Sequence, residues 1–289
     1  MMRPFTTLRW PGIGLVLGML MAAAGCAGGG GSGGQVTTPS PDTSQQPPAA
    51  FDFGPNNPFR ADAFGDSITR GVLGDVDGVD VVTGNNYPNN LQLGLRTLDG
   101  RWRVVNRGLS GEQTSSGRSR IRGVLAIDRP GFVLIMEGTN DATDQESPTT
   151  IVANLESMVT QAQANHTIPV IGTIPPNFRN APVAQSIIKQ SNEMIRNLAR
   201  SRNVVLAEIF DGMNDRSLFG APERGIPDPL HPNERGYVRM ASIWFAAMQK
   251  AIPAPPAPAP TIPAPSPTPA PSPSPSELGQ RPAPRPPRH

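Results

Sequence analysis

The sequence of 289 residues contains a single cysteine, Cys26. One cysteine cannot form an intramolecular disulfide, so a folded domain in this chain must be stable without that cross-link. Between the two low-complexity ends lies a segment of about 190 residues, which is long enough to bury a hydrophobic core by itself. We therefore expect a domain that packing alone stabilises.

The sequence also lacks an excess of basic charge in its central part. The formal net charge is +2, but Arg3 and Arg9 contribute +2 and the last 37 residues contribute another +2. The remainder of the chain is therefore slightly acidic. A basic groove for nucleic acid is not expected, and we predict no nucleic-acid partner.

The N-terminal residues 1–25 have the order of an export signal. Arg3 and Arg9 precede a short apolar run from Ile13 to Ala24, which is too short for a typical membrane span. The residues "AAGC" that end at Cys26 resemble the lipobox of bacterial lipoproteins, with Ala23 where leucine is usual. The resemblance implies a lipidated Cys26 and an anchor at the bacterial cell envelope. Ordinary signal cleavage, giving a secreted or periplasmic protein, is the alternative, as is a buried N-terminal helix with an inert cysteine.

Low-complexity segments flank the central domain. Residues 26–58 are rich in Gly, Ser, Pro and Gln and predict a flexible tether. Residues 253–289 hold 16 of the 35 prolines, which favours polyproline II and a solvated spacer. Contact with the cell wall or with a proline-binding partner is the alternative for this tail. The domain itself is assigned to residues 59–252 and is expected to be a monomer.

Apolar segments with strand and helix periodicity alternate through the domain. Short runs such as "GFVLIMEG" are typical of buried strands, and "TTIVANLESMVTQAQAN" has apolar residues at spacings of three and four. Five strands alternating with helices predict a three-layer α/β fold with a parallel sheet. Function in such folds collects at the carboxyl ends of the strands.

One of the three histidines occupies a promising position. His289 ends the proline-rich tail and His166 precedes a predicted strand, whereas His231 lies in "DPLHP" before the last predicted helix. A serine hydroxyl needs a base to become a nucleophile, and imidazole is suited to that role near neutral pH. Prolines restrict the residues before them to extended conformations, so this turn could hold Asp228 against one nitrogen of His231. The other nitrogen would face Ser67 of "FGDSITRG", which otherwise is an ordinary turn or helix-capping residue.

Three N–H groups could stabilise an oxyanion at the same edge of the sheet. These donors are the backbone of Gly111, the carboxamide of Asn140, and the backbone of Ser67 at a predicted helix start. Taken singly, Gly111 is also consistent with a turn and Asn140 with a helix cap. Together with His231 and Asp228 they form a constellation that points to acyl transfer.

The blocks "FGDSITRG", "NRGLSGEQT", "GTND" and "DPLHP", in this order, resemble the SGNH, or GDSL, hydrolase family over residues 60 to 252. The resemblance implies Ser67 as nucleophile, Gly111 and Asn140 in the oxyanion hole, and Asp228 and His231 as the rest of a triad. It also implies a flavodoxin-like sheet of strand order 2-1-3-4-5 and hydrolysis of esters or thioesters without a metal or other cofactor. The Gly-x-Ser-x-Gly elbow of ordinary α/β-hydrolases is absent around Ser67, which agrees.

The segment Asp75 to Asp80 and several loop residues carry weaker predictions. "DVDGVD" does not have the spacing of a calcium loop and is interpreted as a solvated loop beside the site. We expect Asp66 and Asp141 to hold turns by accepting backbone N–H groups. Loop position suggests a substrate pocket walled by Tyr87, Pro175 and Phe178.

Two functions of different class fit these residues. The first is an exported, lipid-anchored serine esterase acting on small esters, lipids or acylated glycans. The second is a non-catalytic envelope lipoprotein that uses the same domain for ligand binding or as a spacer. The complete set of five site residues favours the enzyme.

Overall fold

The computed structural model describes residues 51–179 and 181–253, so the predicted signal, Cys26 and most of both flanking segments lie outside the described residues. Its strands, in chain order, are β1 (Asn57–Gly65), β2 (Val72–Val76), β3 (Val79–Val82), β4 (Arg103–Gly108), β5 (Pro130–Met136), β6 (Ile168–Gly172) and β7 (Val205–Ala207). Its helices are α1 (Ser67–Arg70), α2 (Tyr87–Arg96), α3 (Thr114–Asp128), α4 (Thr139–Thr143), α5 (Pro148–Ala164), α6 (Pro182–Ser201), α7 (Ile209–Gly212) and α8 (Glu234–Ala251). Strands and helices thus alternate along most of the chain, as the sequence predicted.

The main sheet has five parallel strands in the order β4-β1-β5-β6-β7. Counting only these five strands, the order is 2-1-3-4-5, so the predicted flavodoxin-like topology is confirmed. Strand β1, which lies between β4 and β5, ends with Gly65 paired to Gly108 of β4 and to Met136 of β5. The loops that follow these three strands therefore meet at one edge of the sheet.

Two hydrophobic cores lie on the two faces of the sheet. Successive residues of β5 point into opposite cores. Phe132 and Leu134 belong to one core, and Val133 and Ile135 belong to the other. This explains why the strand is continuously apolar. Helices α2 and α8 cover the first face, and α3, α5 and α6 cover the second. The result is the predicted three-layer arrangement.

Local sequence signals set the ends of the long helices. Ser147 caps α5 by accepting the Thr150 N–H at 3.1 Å, and Asn233 caps α8 by accepting the Gly236 N–H at 3.0 Å. The apolar positions read from the α5 sequence are all buried, namely Ile151, Leu155, Met158, Val159 and Ala162. The helical periodicity therefore identified the face that packs on the sheet.

The structure departs from the sequence prediction between residues 72 and 82. The segment interpreted as a solvated loop contains an antiparallel hairpin, in which β2 and β3 pair Asp75 with Asp80 and Val76 with Val79. Asp77 and Gly78 at its tip both have positive φ, as a tight hairpin turn requires. The loop prediction is therefore wrong, and the Asp-Gly pair was the signal for the turn.

The part of the chain that packs on the domain begins before the predicted boundary at residue 59. Strand β1 starts at Asn57, and the buried Asn56 side chain donates hydrogen bonds to the carbonyls of Asn165 and His166 at 2.6 and 3.0 Å. The ring of Phe53 packs 5.7 Å from that of Phe132. Residues from Phe53 onward thus pack on the domain.

Within the described ranges, every helix is too short or too polar to cross a bilayer.

Candidate active site

The Gly-Asp-Ser corner joins β1 to the short helix α1. A Cβ atom on Gly65 would overlap the Met136 carbonyl and the Thr69 hydroxyl, so only glycine fits this close approach. The Asp66 carboxylate accepts the Ile68 N–H at 2.9 Å, which confirms its predicted role in holding the turn. Ser67 consequently lies just beyond the carboxyl end of β1, and only 8% of its surface is exposed.

Ser67, His231 and Asp228 form a continuous hydrogen-bonded chain. Ser67 Oγ lies 2.9 Å from His231 Nε2, and His231 Nδ1 lies 2.6 Å from Asp228 Oδ2. The Leu230 N–H donates to Asp228 Oδ1 at 2.8 Å and closes the turn of the DPLHP segment. The structure therefore brings together three residues that the sequence had placed in one constellation, across 164 positions of chain between Ser67 and His231.

The charge of Asp228 is well supported by its surroundings. Burial acts to raise the pKa of Asp228, but the hydrogen bond from His231, the Leu230 N–H and the positive charge of Arg179 outweigh it and lower the pKa to about 2. The carboxylate is thus ionised at neutral pH. An ionised carboxylate on Nδ1 directs the other imidazole nitrogen, as an acceptor, toward the serine hydroxyl.

The other two predicted site residues lie in the loops after β4 and β5. Gly111 adopts a φ of +76°, a conformation that glycine tolerates best. Asn140 lies in the first turn of α4 and donates one Nδ2 hydrogen to the Glu112 carbonyl at 2.8 Å. A carboxamide carries two such hydrogens, so the second is left for another acceptor.

Asp141 ties the same two loops together. Its carboxylate accepts the Thr114 N–H at 3.0 Å and the Thr114 hydroxyl at 2.5 Å. The predicted turn-holding role of Asp141 is confirmed, although the N–H belongs to the start of α3 and not to its own turn. The loop that carries Gly111 is thereby fixed to the loop that carries Asn140.

Two contacts to Asp228 come from residues that the sequence did not single out, Arg179 and Gly74. Arg179, in the loop after β6, points Nη2 at both Asp228 carboxylate oxygens at 3.3 Å. Gly74 of β2 has a φ of +143°, and a Cβ atom there would lie 3.0 Å from Asp228 Cβ. The hairpin and the β6 loop therefore flank the acid of the hydrogen-bonded chain.

The three residues suggested as pocket walls lie in different environments. Tyr87 is fully buried in the core, where its ring stacks on Trp244 at 5.9 Å and its hydroxyl pairs with Thr69 Oγ1 at 3.0 Å. It has no surface for a substrate, so that prediction is corrected. Pro175 is buried in the loop after β6. Phe178 is half-buried, and its N–H donates to the Pro229 carbonyl beside the candidate triad at 3.0 Å.

No cluster of three or more His, Cys, Asp or Glu side chains within residues 51–179 and 181–253 has the arrangement of a metal site. His166, which the sequence did not place in the site, has a half-exposed side chain and contacts Asp52. The chemistry-bearing groups at this edge of the sheet are therefore a serine, an imidazole, carboxylates and N–H donors.

Comparison with known proteins places this chain in a family. Residues 63–239 match the family model of the GDSL-like lipase/acylhydrolase family. Esterase TesA of Pseudomonas aeruginosa is 32% identical over 116 residues, which are 39% of this chain and 54% of that protein. The chain thus matches about half the length of that curated relative.

Solved structures share the fold at lower sequence identity. A lipase/acylhydrolase from Enterococcus faecalis superposes with a TM-score of 0.56 at 22% identity, over 66% of this chain and 95% of that one. Est24, a carbohydrate acetylesterase from Sinorhizobium meliloti, gives a TM-score of 0.56 at 16% identity, over 66% and 98% of the two chains. Identities this low establish the likeness of the fold alone. On the family match over more than half its length, the chain belongs to the GDSL-like lipase/acylhydrolase family.

Proposed function

We propose that this protein is a serine esterase that hydrolyses carboxylic esters through an acyl-enzyme intermediate. The observation that carries the proposal is the unbroken chain from Ser67 Oγ through His231 to Asp228, with distances of 2.9 and 2.6 Å. Family membership supports the ester as the bond that is broken. In this proposal Ser67 is the nucleophile, His231 the general base and Asp228 the group that orients the imidazole.

The steps follow from this geometry. His231 Nε2 takes the proton as Ser67 Oγ attacks the ester carbonyl carbon, and the carbonyl oxygen becomes an oxyanion. The N–H groups of Ser67 and Gly111 and the second Nδ2 hydrogen of Asn140 stabilise that charge. The tetrahedral intermediate expels the alcohol, which receives the proton from His231. Water, activated by the same imidazole, then releases the acid and restores Ser67.

The substrate we propose is a small ester, a lipid ester or an acylated glycan. The similar proteins include a lipase/acylhydrolase and a carbohydrate acetylesterase, which supports both lipid esters and acylated glycans as candidates. Phe178, half-exposed beside Pro229, is the apolar side chain we assign to the substrate pocket. Its ring packs 5.0 Å from Phe219, which fixes its position.

Hydrolysis of p-nitrophenyl acetate, butyrate and octanoate by the full chain tests the proposal, with S67A as its matched variant. Loss of one triad member removes most of the catalytic advantage, so we expect a rate at least about 1,000-fold lower in S67A. Equal rates in the two proteins would favour the non-catalytic alternative, a ligand-binding or spacing module. The ratio of rates on acetate and octanoate separates an acetylesterase from a lipase.

We further propose export and attachment to the membrane through a lipidated Cys26. The support is the order of basic, apolar and small residues before the cysteine in the sequence. Incorporation of radiolabelled palmitate by the full chain, but not by C26S, is the expected result. Absence of label from both proteins would leave ordinary secretion as the better account. For the proline-rich tail we propose the role of a spacer, with contact to the cell wall or to a proline-binding partner as the alternative.

A further inference from the structure

Two buried carboxyl groups face each other beneath the loops of the candidate site. Glu137, which follows β5, is 1% exposed, and neither of its carboxyl oxygens meets a hydrogen-bond donor among the residues that the structure describes. Its side chain lies within hydrogen-bonding reach of the Glu112 carboxyl. Because burial and the facing carboxyl both disfavour a second negative charge, Glu137 keeps a proton that it can donate to Glu112. Burial and the facing Glu112 raise the pKa of Glu137 well above its ordinary value.

Glu112 is held on its other side by Arg120 of α3. Arg120 Nε donates to Glu112 Oε1 at 2.7 Å, and Nη2 donates to Oε2. The guanidinium also lies 3.9 Å above the Phe64 ring and donates to the Arg107 carbonyl at 3.0 Å. The charged and titratable groups around Glu137 are thus Glu112 from the β4 loop, Arg120 from α3, and Asp66 from the turn before Ser67.

The backbone of Glu112 contacts the groups that we propose for the oxyanion hole. Its carbonyl accepts Asn140 Nδ2 at 2.8 Å, which sets the direction of the second hydrogen of that amide. Its preceding neighbour is Gly111, whose N–H is another proposed donor. A shift of Glu112 would therefore move two of the three oxyanion donors at once.

We propose that Glu112 is the positioning residue of the oxyanion hole, held in place by Arg120 and by a proton shared with Glu137. This inference rests on the proposed function, because the oxyanion hole is part of that proposal. None of the three side chains needs to touch the substrate. Gly117 of α3 leaves the space that the Glu137 carboxyl occupies, since a Cβ atom there would overlap it.

The test compares E137L with E137Q in the full chain, measuring kcat and KM on p-nitrophenyl acetate. Leucine removes the shared proton, whereas glutamine remains neutral and keeps an N–H donor for Glu112. Removing an oxyanion donor outright costs about 100- to 1,000-fold in kcat, and misplacement should cost less, so we expect a loss of about tenfold or more in E137L. KM should change by less than about twofold, and E137Q should recover most of the lost kcat.

G117A and G123A provide a second pair on the same helix. A Cβ atom at Gly123 meets open space, so G123A should keep the activity of the parent protein. G117A should lower kcat because its methyl group displaces Glu137. Thermal unfolding and circular dichroism show which variants are folded, so this pair decides the question if E137L does not fold.

The side-chain amide signal of Asn140 in a ¹⁵N spectrum gives a readout that does not depend on activity. The inference predicts that this signal moves in E137L and in G117A and returns toward its original position in E137Q. An unmoved signal, an unchanged kcat in folded E137L and G117A, or an E137Q as impaired as E137L would each overturn it. Failure of the proposed function is distinct, because the parent chain and S67A would then hydrolyse the ester equally.

Discussion

Arg179 lies across the carboxylate of Asp228, with Nη2 3.3 Å from both Oδ1 and Oδ2. Its side chain is 42% exposed, so water screens this ion pair. The contact still supplies a positive charge beside the acid of the proposed triad. We expect R179M to lower kcat on a neutral ester by about three- to tenfold, because Asp228 then orients His231 less firmly. R179K should restore part of the loss.

A neutral substrate such as p-nitrophenyl acetate is essential to that measurement. If Arg179 acted by binding an anionic part of the substrate, R179M would leave the rate on a neutral ester unchanged. R224M is the matched control, since Arg224 is a similarly exposed arginine that pairs with Glu234.

The hairpin contact with Asp228 gives a second prediction. Because Gly74 has a φ of +143° and a Cβ atom there would overlap Ile226 and approach Asp228, G74A should displace the hairpin or the acid. We expect kcat on p-nitrophenyl acetate to fall by about tenfold or more. G84A is the control, because Gly84 has open space around it. Full activity in a folded G74A would show that the hairpin does not help to place Asp228.

The Y87F variant tests whether the side chain of Tyr87 stabilises the core or contacts the substrate. Y87F removes the hydrogen bond to Thr69 in the core, so we expect a loss of about 1 kcal/mol in the free energy of unfolding. KM for p-nitrophenyl octanoate should not change, because the ring has no exposed surface. Denaturant unfolding and Michaelis kinetics measure the two quantities. A changed KM with unchanged stability would return Tyr87 to the pocket.

Asp62 makes the stability depend on pH. Burial, followed by the hydrogen bond to Asp128, raises the pKa of Asp62 to about 7 despite its contact with Arg60. Folding therefore favours the protonated acid. The contribution of Asp62 to the free energy of unfolding is complete below about pH 4 and is lost as the pH rises through 7. The loss is on the order of 2 to 4 kcal/mol.

D62N should remove this part of the pH dependence, because an amide stays neutral. Urea unfolding of both proteins between pH 4 and 8 measures it, with D77N as the control at an exposed carboxylate in the hairpin turn. Parallel stability curves for the parent chain and D62N would contradict the prediction.

The sequence predicted those parts of the fold that depend on local pattern. Helix α5 followed from the spacing of its apolar residues, strand β5 from its continuous apolar run, and the strand order from the family resemblance. The hairpin was missed because its acidic composition favoured a loop, although Asp77 and Gly78 carry a turn signal.

The missing parts of the candidate site depend on tertiary contacts. Arg179 and Asp228 are 49 residues apart, and no spacing rule joins them. Glu137 follows a strand, and the sequence carries no signal for its burial. Its position against Glu112 depends on the packing of α3. Tyr87 was misplaced for the same reason, since the face of α2 that turns inward is chosen by contact with α8.

Labelling with a fluorophosphonate tests the central claim most directly. The account predicts that Ser67 Oγ attacks phosphorus and expels fluoride, so that the intact protein gains one phosphonyl group and loses its esterase activity. Peptide mass spectrometry should place the group on Ser67, and the adduct should be absent from S67A. A parent protein that hydrolyses esters without acquiring the label, or that acquires it on another residue, would contradict the account.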